Sequence, residues 1–161
     1  MRLLRDHRST DGFTYIEILI VLVIIGILYM AIMFSSKTQV QKGRDSRRKV
    51  DMDLTRRGLE EYYDSKNCFP EEAALPGCKQ PFALGSTVFM KAMPCDPKSN
   101  QPYVYVTDGS GCSIWFQIYT KLEYTTDPII DTLGCRLHGC GPSCEYNYGV
   151  TSTNKPLDVC N

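Results

Sequence analysis

Apolar and polar positions divide this chain into stretches of different character. Ile18 to Phe34 (ILIVLVIIGILYMAIMF) runs for 17 residues without a charge. That is the lower edge of a membrane-spanning helix, and adding Phe13 to Ile16 across Glu17 carries it past the edge. From Ser36 to Lys66 charged residues and helix formers follow without a proline. Met52, Leu59 and Tyr63 stand at i, i+7 and i+11, with Val50 and Leu54 nearby, which suits a helix lying against a small sheet. The two stretches read as one unbroken helix that stops near Asn67, because Phe69-Pro70 disfavours helix at the preceding residue. Cys68 opens a loop expected to close at Cys78, with a turn at Pro76-Gly77. Further on, Tyr103 to Thr107 (YVYVT) and Ile114 to Tyr119 (IWFQIY) read as an antiparallel hairpin around Asp108-Gly109-Ser110-Gly111. A last short strand is expected at Tyr146 to Thr151, in a tail rich in Gly, Cys and Asn. The predicted class is α+β: a long N-terminal helix, its first half membrane-spanning, on a small antiparallel sheet with Cys-rich loops.

Charge sharpens this division. Lys plus Arg (18) cancel Asp plus Glu (18) over 161 residues, so no global basic field exists to hold nucleic acid. The zero sums unlike parts: residues 35 to 57 carry eight basic against three acidic side chains, and residues 58 to 161 carry seven against twelve. The reading is an acidic head on a basic stalk. The length is about one domain's worth and excludes a large multidomain enzyme.

All eight Cys (68, 78, 95, 112, 135, 140, 144 and 160) lie beyond residue 67. A dense, even set confined to one region reads as a disulfide framework in an oxidising compartment, with 105 possible pairings. Cys135, His138, Cys140 and Cys144 could surround a tetrahedral zinc ion, but C-x2-H-x-C-x3-C is no paired knuckle, and disulfides are the preferred reading. A catalytic role finds no support. His7 and His138 are the only histidines, and no G-x-S-x-G, Walker, HExxH or CxxC pattern occurs. Trp115, in an expected strand, reads as core.

A secretory signal peptide also begins with a basic region and an apolar run. Here no small-x-small cleavage site follows the run, and Glu17 places a costly carboxylate inside it. Gly12-Phe13-Thr14-Tyr15-Ile16-Glu17, joined to the apolar helix with Gly26 inside it, resembles the prepilin cleavage and methylation signal of type IV pilins and type II secretion pseudopilins. The resemblance implies a prepilin peptidase that cuts after Gly12 and methylates Phe13, and a pairing of Glu17 with the free amine of a neighbouring copy. Two opposite charges in a medium of low dielectric attract strongly when adjacent, so such pairing would set the register of a filament. Snorkelling of Glu17 to the interface is the plainer alternative.

The implied organisation is a leader at residues 1 to 12, a long helix at 13 to 66 with its span at about 14 to 34, and a disulfide-rich head at 67 to 161. Phe34 stands where many pilins carry a helix-bending proline. Asp96-Pro97-Lys98-Ser99-Asn100-Gln101-Pro102-Tyr103 is similar to the Asp-Pro-x-Gly-x-Pro-Tyr stretch of major pseudopilins, one residue longer and without the glycine. Those proteins bind calcium through a C-terminal loop, for which Asp127 and Asp131 are the candidates here, although the loop pattern is not recognisable and no cofactor is expected. Arg44, Arg47, Arg48 and Lys49 are read as a solvated helical face, or as pairing with acidic heads of neighbouring copies, in preference to a nucleic-acid patch.

The expectation is a non-enzymatic structural subunit of a type IV pilus-like or secretion filament. Its partners would be further copies of itself, minor pilins, the peptidase, an inner-membrane platform protein and an assembly ATPase. Its location would be a bacterial inner membrane, N-terminus cytoplasmic and head outside. Counting Lys and Arg around the span gives the opposite orientation, with Arg2, Arg5 and Arg8 before it and six basic residues from Lys37 to Lys49 after it. The Cys framework and the leader outweigh that count. The alternatives are a minor tip pilin with a ligand-binding head and a membrane-anchored Cys-rich binding domain that never polymerises.

Overall fold

The structure is a computed structural model that describes residues 12 to 160, the side chains of 33 to 36 excepted. The expected leader lies, apart from Gly12, outside the described residues, and so does the Phe34 side chain. The chain forms two compact units, residues 1 to 39 and 40 to 161.

Helix α1 (Tyr15–Lys66) has 52 residues and runs through the boundary. Thr14 starts it: its hydroxyl accepts the Glu17 N–H at 3.3 Å, satisfying one of the donors that every helix start leaves unpaired. Asn67 ends it in a left-handed conformation (φ 56), its N–H donating to the Tyr63 carbonyl at 2.6 Å. In the N-terminal unit the apolar side chains of α1 are exposed, from Ile18 (49%) to Ile32 (68%). That segment is long and apolar enough to cross a membrane.

The C-terminal unit is α+β, as expected. Strands β1 (Phe82–Leu84) and β2 (Thr87–Met90) form a hairpin closed by Gly85-Ser86, with Gly85 at φ +60 as such a two-residue turn requires. Strands β3 (Val104–Thr107), β4 (Phe116–Thr120) and β5 (Tyr148–Thr151) form an antiparallel sheet with β4 at its centre. The β3–β4 pair is the predicted hairpin, with β3 one residue shorter and β4 shifted to start at Phe116 and end one residue later at Thr120, and β5 falls within the expected last strand. The first hairpin and the short helix α2 (Pro128–Thr132) were not expected from the pattern.

All five residues of β4 are buried, because the sheet is covered on both faces. Strand side chains alternate. Tyr105, Phe116 and Ile118 pack with Met52 and Leu59 of α1 and with Phe69, Phe82 and Phe89. Tyr119, Val104 and Val106 pack on the other face with Leu122, Ile130, Cys135 and Cys140. Met52 and Leu59 are thus core as predicted, whereas Val50, Leu54 and Tyr63 are exposed. Gly58 lets the Met90 side chain approach closely: a Cβ there would stand 2.6 Å from Met90 Cγ, so Met90 would have to move.

Candidate functional site

Two sites draw attention. The first is the start of α1, in the N-terminal unit. Phe13 is 80% exposed, and it lines a shallow recess of about 260 Å3 with Glu17, Ile18, Val21 and Leu22. Thr14-x-x-Glu17 has the spacing of a capping box, a pattern legible in the sequence, and Glu17 falls in the first turn where the helix dipole favours an anion. Among the described residues, no cation pairs with the Glu17 carboxylate.

The second site is a charged cluster in the C-terminal unit, and it corrects the reading of the basic segment. Arg48 is buried, not solvated. Its guanidinium grips Asp96 through Nε (2.5 Å) and a second nitrogen (3.2 Å) and also donates to Asp45 (2.6 Å) and Glu123 (2.9 Å). Arg44 holds Glu123 bidentately, both contacts at 2.6 Å, and Lys49 reaches Asp127 at 2.5 Å. Asp45 turns toward the chain it meets, accepting the Glu123 and Tyr124 N–H groups at 3.0 and 2.7 Å. Of the four expected surface cations, only Arg47 remains open to solvent, its side chain 73% exposed. All four bind acids of their own chain, Arg47 the most loosely, at 3.7 Å from Asp51.

Electrostatics follow from this geometry. Charge-assisted bonds from Arg44, and then Arg48, hold the Glu123 carboxyl down at about 2 against the opposing effect of burial. Burial pushes Asp96 up, but the Arg48 guanidinium and the N–H groups of Ser99 and Lys98 outweigh it and leave the group below the usual carboxylate range. Desolvation lowers Arg48 while its three acidic partners raise it further, so it stays charged. Asp51 goes the other way: burial raises it, and the Tyr103 hydroxyl donating at 3.2 Å only partly offsets that.

The stretch 96 to 103 turns at Asn100. Asn100 adopts φ 58, a conformation Asn tolerates, and its N–H donates to the Asp96 carbonyl at 2.9 Å.

The four disulfides are Cys68–Cys112, Cys78–Cys95, Cys135–Cys140 and Cys144–Cys160, with Cα atoms 5.1 to 5.9 Å apart. The expected loop from Cys68 to Cys78 is therefore not closed: each of the two bonds a later partner. The pairing also removes three thiols from the zinc arrangement, and His138 stands exposed beside them. The calcium candidates are occupied as well. Asp127 caps α2 through the Ile129 N–H (3.1 Å) and binds Lys49, while Asp131 is bridged by Arg136. Among the described residues, no group of three or more His, Cys, Asp or Glu could hold a metal ion. Trp115 precedes β4, half-buried, with Lys155 Nζ 5.0 Å above its ring. Comparison of the chain with protein-family models, with curated proteins and with solved structures found no match.

Proposed function

We propose that this chain is a filament-forming structural subunit, processed after Gly12, whose apolar helices bundle while disulfide-bonded heads face outward. The observation that carries the reading is exposure. In the most apolar 18-residue window of α1, no residue is buried against the rest of the chain. So continuous an apolar surface needs a cover of lipid or of other helices. Glu17 at its start would accept the new N-terminal ammonium of an incoming copy, where low dielectric rewards a matched pair. A peptidase, a platform protein and an ATPase would serve cleavage and extraction, and no reaction is assigned to the chain itself.

One observation favours a second reading, a permanently anchored domain: Glu17 stands in the first turn of α1, where the helix dipole favours an anion, so its carboxylate has a use that needs no neighbour. The discriminating measurement is the intact mass of protein purified from native membranes without reductant. The filament reading expects loss of residues 1 to 12, one added methyl group and eight missing hydrogens for four disulfides. An uncleaved, unmethylated chain would overturn it. Glu17→Gln then separates the roles of the carboxylate: loss of filaments supports pairing between copies, and undiminished filament yield supports a role at the helix start alone.

A further inference from the structure

The apolar run ends at Phe34, and the C-terminal unit begins at Val40. Residues 35 to 44 carry Lys37, Lys42 and Arg44 and no carboxylate. Whatever the angle between the two units, so short a stretch of chain cannot place Lys42 more than about 30 Å from the end of the run. Along a continuous helix such as α1 the separation is about 12 Å.

Folding brings two further lysines to this start of the C-terminal unit. An open recess of about 490 Å3 is lined by Gln41 of α1 and by the exposed Lys98, Ser99, Lys121 and Thr125 of two loops. Lys42 stands beside it, its Nζ 4.5 Å from the centre of the Tyr124 ring. Lys42 and Lys121 have no carboxylate partner among the described residues. Lys98 comes only within 3.5 Å of Glu123, which Arg44 and Arg48 already hold, and its side chain is 65% exposed. Arg44, Arg48 and Lys49 are matched to Asp45, Asp96, Glu123 and Asp127, so with the three lysines this end holds six cations against four carboxylates. The far end of the unit has the opposite sign. Glu61, Asp64, Glu71 and Glu72 form no ion pair among the described residues, and Lys66 is the one cation within that stretch of sequence. Asp64 lies about 33 Å from Lys42 along α1. The unit is electrically polar, with its surplus cations at the end tethered to the apolar helix.

We propose that Lys42, Lys98 and Lys121 seat the C-terminal unit against the phosphate groups of anionic phospholipid. Exposed cations are drawn to such a surface once they come within a Debye length of it. For a chain anchored by its apolar segment, the bilayer is the one anion-bearing surface that is always within reach of the tether. Lysine suits the task, because a point charge on a flexible stem can meet phosphates that have no fixed arrangement. The more rigid guanidinium forks of Arg44 and Arg48 are spent on acids of the chain itself. The acidic end of a neighbouring copy is the other source of negative charge, but it is present only in an assembly. The proposal rests on the membrane-spanning reading of α1, which the filament and the anchored-domain readings share.

The test reconstitutes the full chain, one copy per lipid disc, in phosphatidylcholine alone or enriched in phosphatidylglycerol, and follows acetylation of each lysine at low conversion by mass spectrometry. Lys42, Lys98 and Lys121 should react about fivefold more slowly in the anionic discs, the weight of one lysine at a charged bilayer surface, while Lys66 is unchanged. The difference should vanish in molar salt, where the Debye length falls to about 3 Å. Equal rates in the two lipids overturn the proposal, as does a slowing shared equally by Lys66. Slowing that needs several copies in one disc assigns the lysines to a neighbour's acids and overturns it too. A chain that does not enter the discs overturns the membrane-spanning reading together with this one; a chain that enters and shows no lipid dependence overturns this one alone. Lys98→Gln with Lys121→Gln should leave the unfolding temperature in place and cut the slowing at Lys42 to about twofold or less. Undiminished slowing at Lys42 in that variant would show that the helix meets the lipid without the recess, and would sink the proposal.

Discussion

Helix α1 carries two chemistries along one backbone. Over its first part, Ile20, Ile24, Ile27 and Tyr29 are all at least half exposed, and apolar residues occupy every side of the helix. Beyond Val40, burial is confined to one stripe: Asp45, Arg48, Asp51, Met52, Thr55, Gly58 and Leu59, with Tyr62 half-buried. The first part is not covered by the rest of the described chain. The second is completed by the chain itself, in two ways, through an apolar seam at Met52 and Leu59 and a charged clasp at Asp45 and Arg48. Helical periodicity alone does not distinguish a helix that packs from one that is solvated by lipid; the breadth of the apolar surface does.

Changes placed in either part should therefore fail in different assays. Arg48→Ala strands Asp45 and Asp96 in a dry site and should destabilise the C-terminal unit by about 3–5 kcal/mol in chemical denaturation. Membrane partition should be unaffected. Replacing the Cys68–Cys112 pair by Ser should cost about 4 kcal/mol, against about 2 for Cys135–Cys140, because the first closes a loop of 44 residues and the second one of 5. Equal losses would show that chain entropy is not the governing effect. Ile24→Lys reverses the pattern. It should weaken membrane insertion by about 3 kcal/mol in a partition assay and leave the melting of the C-terminal unit where it was. Thr14→Ala should be smallest, about 1 kcal/mol, seen as fraying of the first turn by hydrogen exchange.

Acid offers a graded version of the same contrast. Glu123 is depressed from its ordinary 4.5 to about 2, and Asp96 is depressed as well, so their stabilisation is complete above the ordinary range and is lost as pH falls through it toward 2. Asp51, raised by burial, takes up its proton earlier in the folded state and offsets part of that loss. Equilibrium unfolding across this window should show the decline in wild type and a shallower one in Glu123→Gln.

What could be read from residue order was what depends on neighbours in the chain. The apolar run, the end of α1 near Asn67 and the β3–β4 hairpin all follow from local spacing and turn chemistry. Met52 and Leu59 were legible because a helix repeats its face. The clasp was not, since Arg48 meets Asp96 and Glu123 across 48 and 75 residues and nothing nearby marks it as buried. The disulfide pairing is set by the sheet that brings Cys112 back to Cys68, whose neighbour Phe69 bridges to Ser113. Thr14-x-x-Glu17 is visible as a spacing, but the bond it makes runs to the Glu17 backbone N–H, which the identity of the side chain does not reveal.

The four disulfides divide cleanly at one place. Cys78–Cys95 nests inside Cys68–Cys112, Cys135–Cys140 and Cys144–Cys160 follow, and no bridge joins a residue up to 112 to one from 135 onward. A single backbone cut between Lys121 and Gly134 would therefore release two covalently separate fragments, even fully oxidised. One would keep α1 with β1 to β4, and the other would keep β5 with the Cys-rich tail. Their recombination would rest on β5 finding β4 again, which makes the chain a candidate for splitting into two complementary pieces that report reassembly.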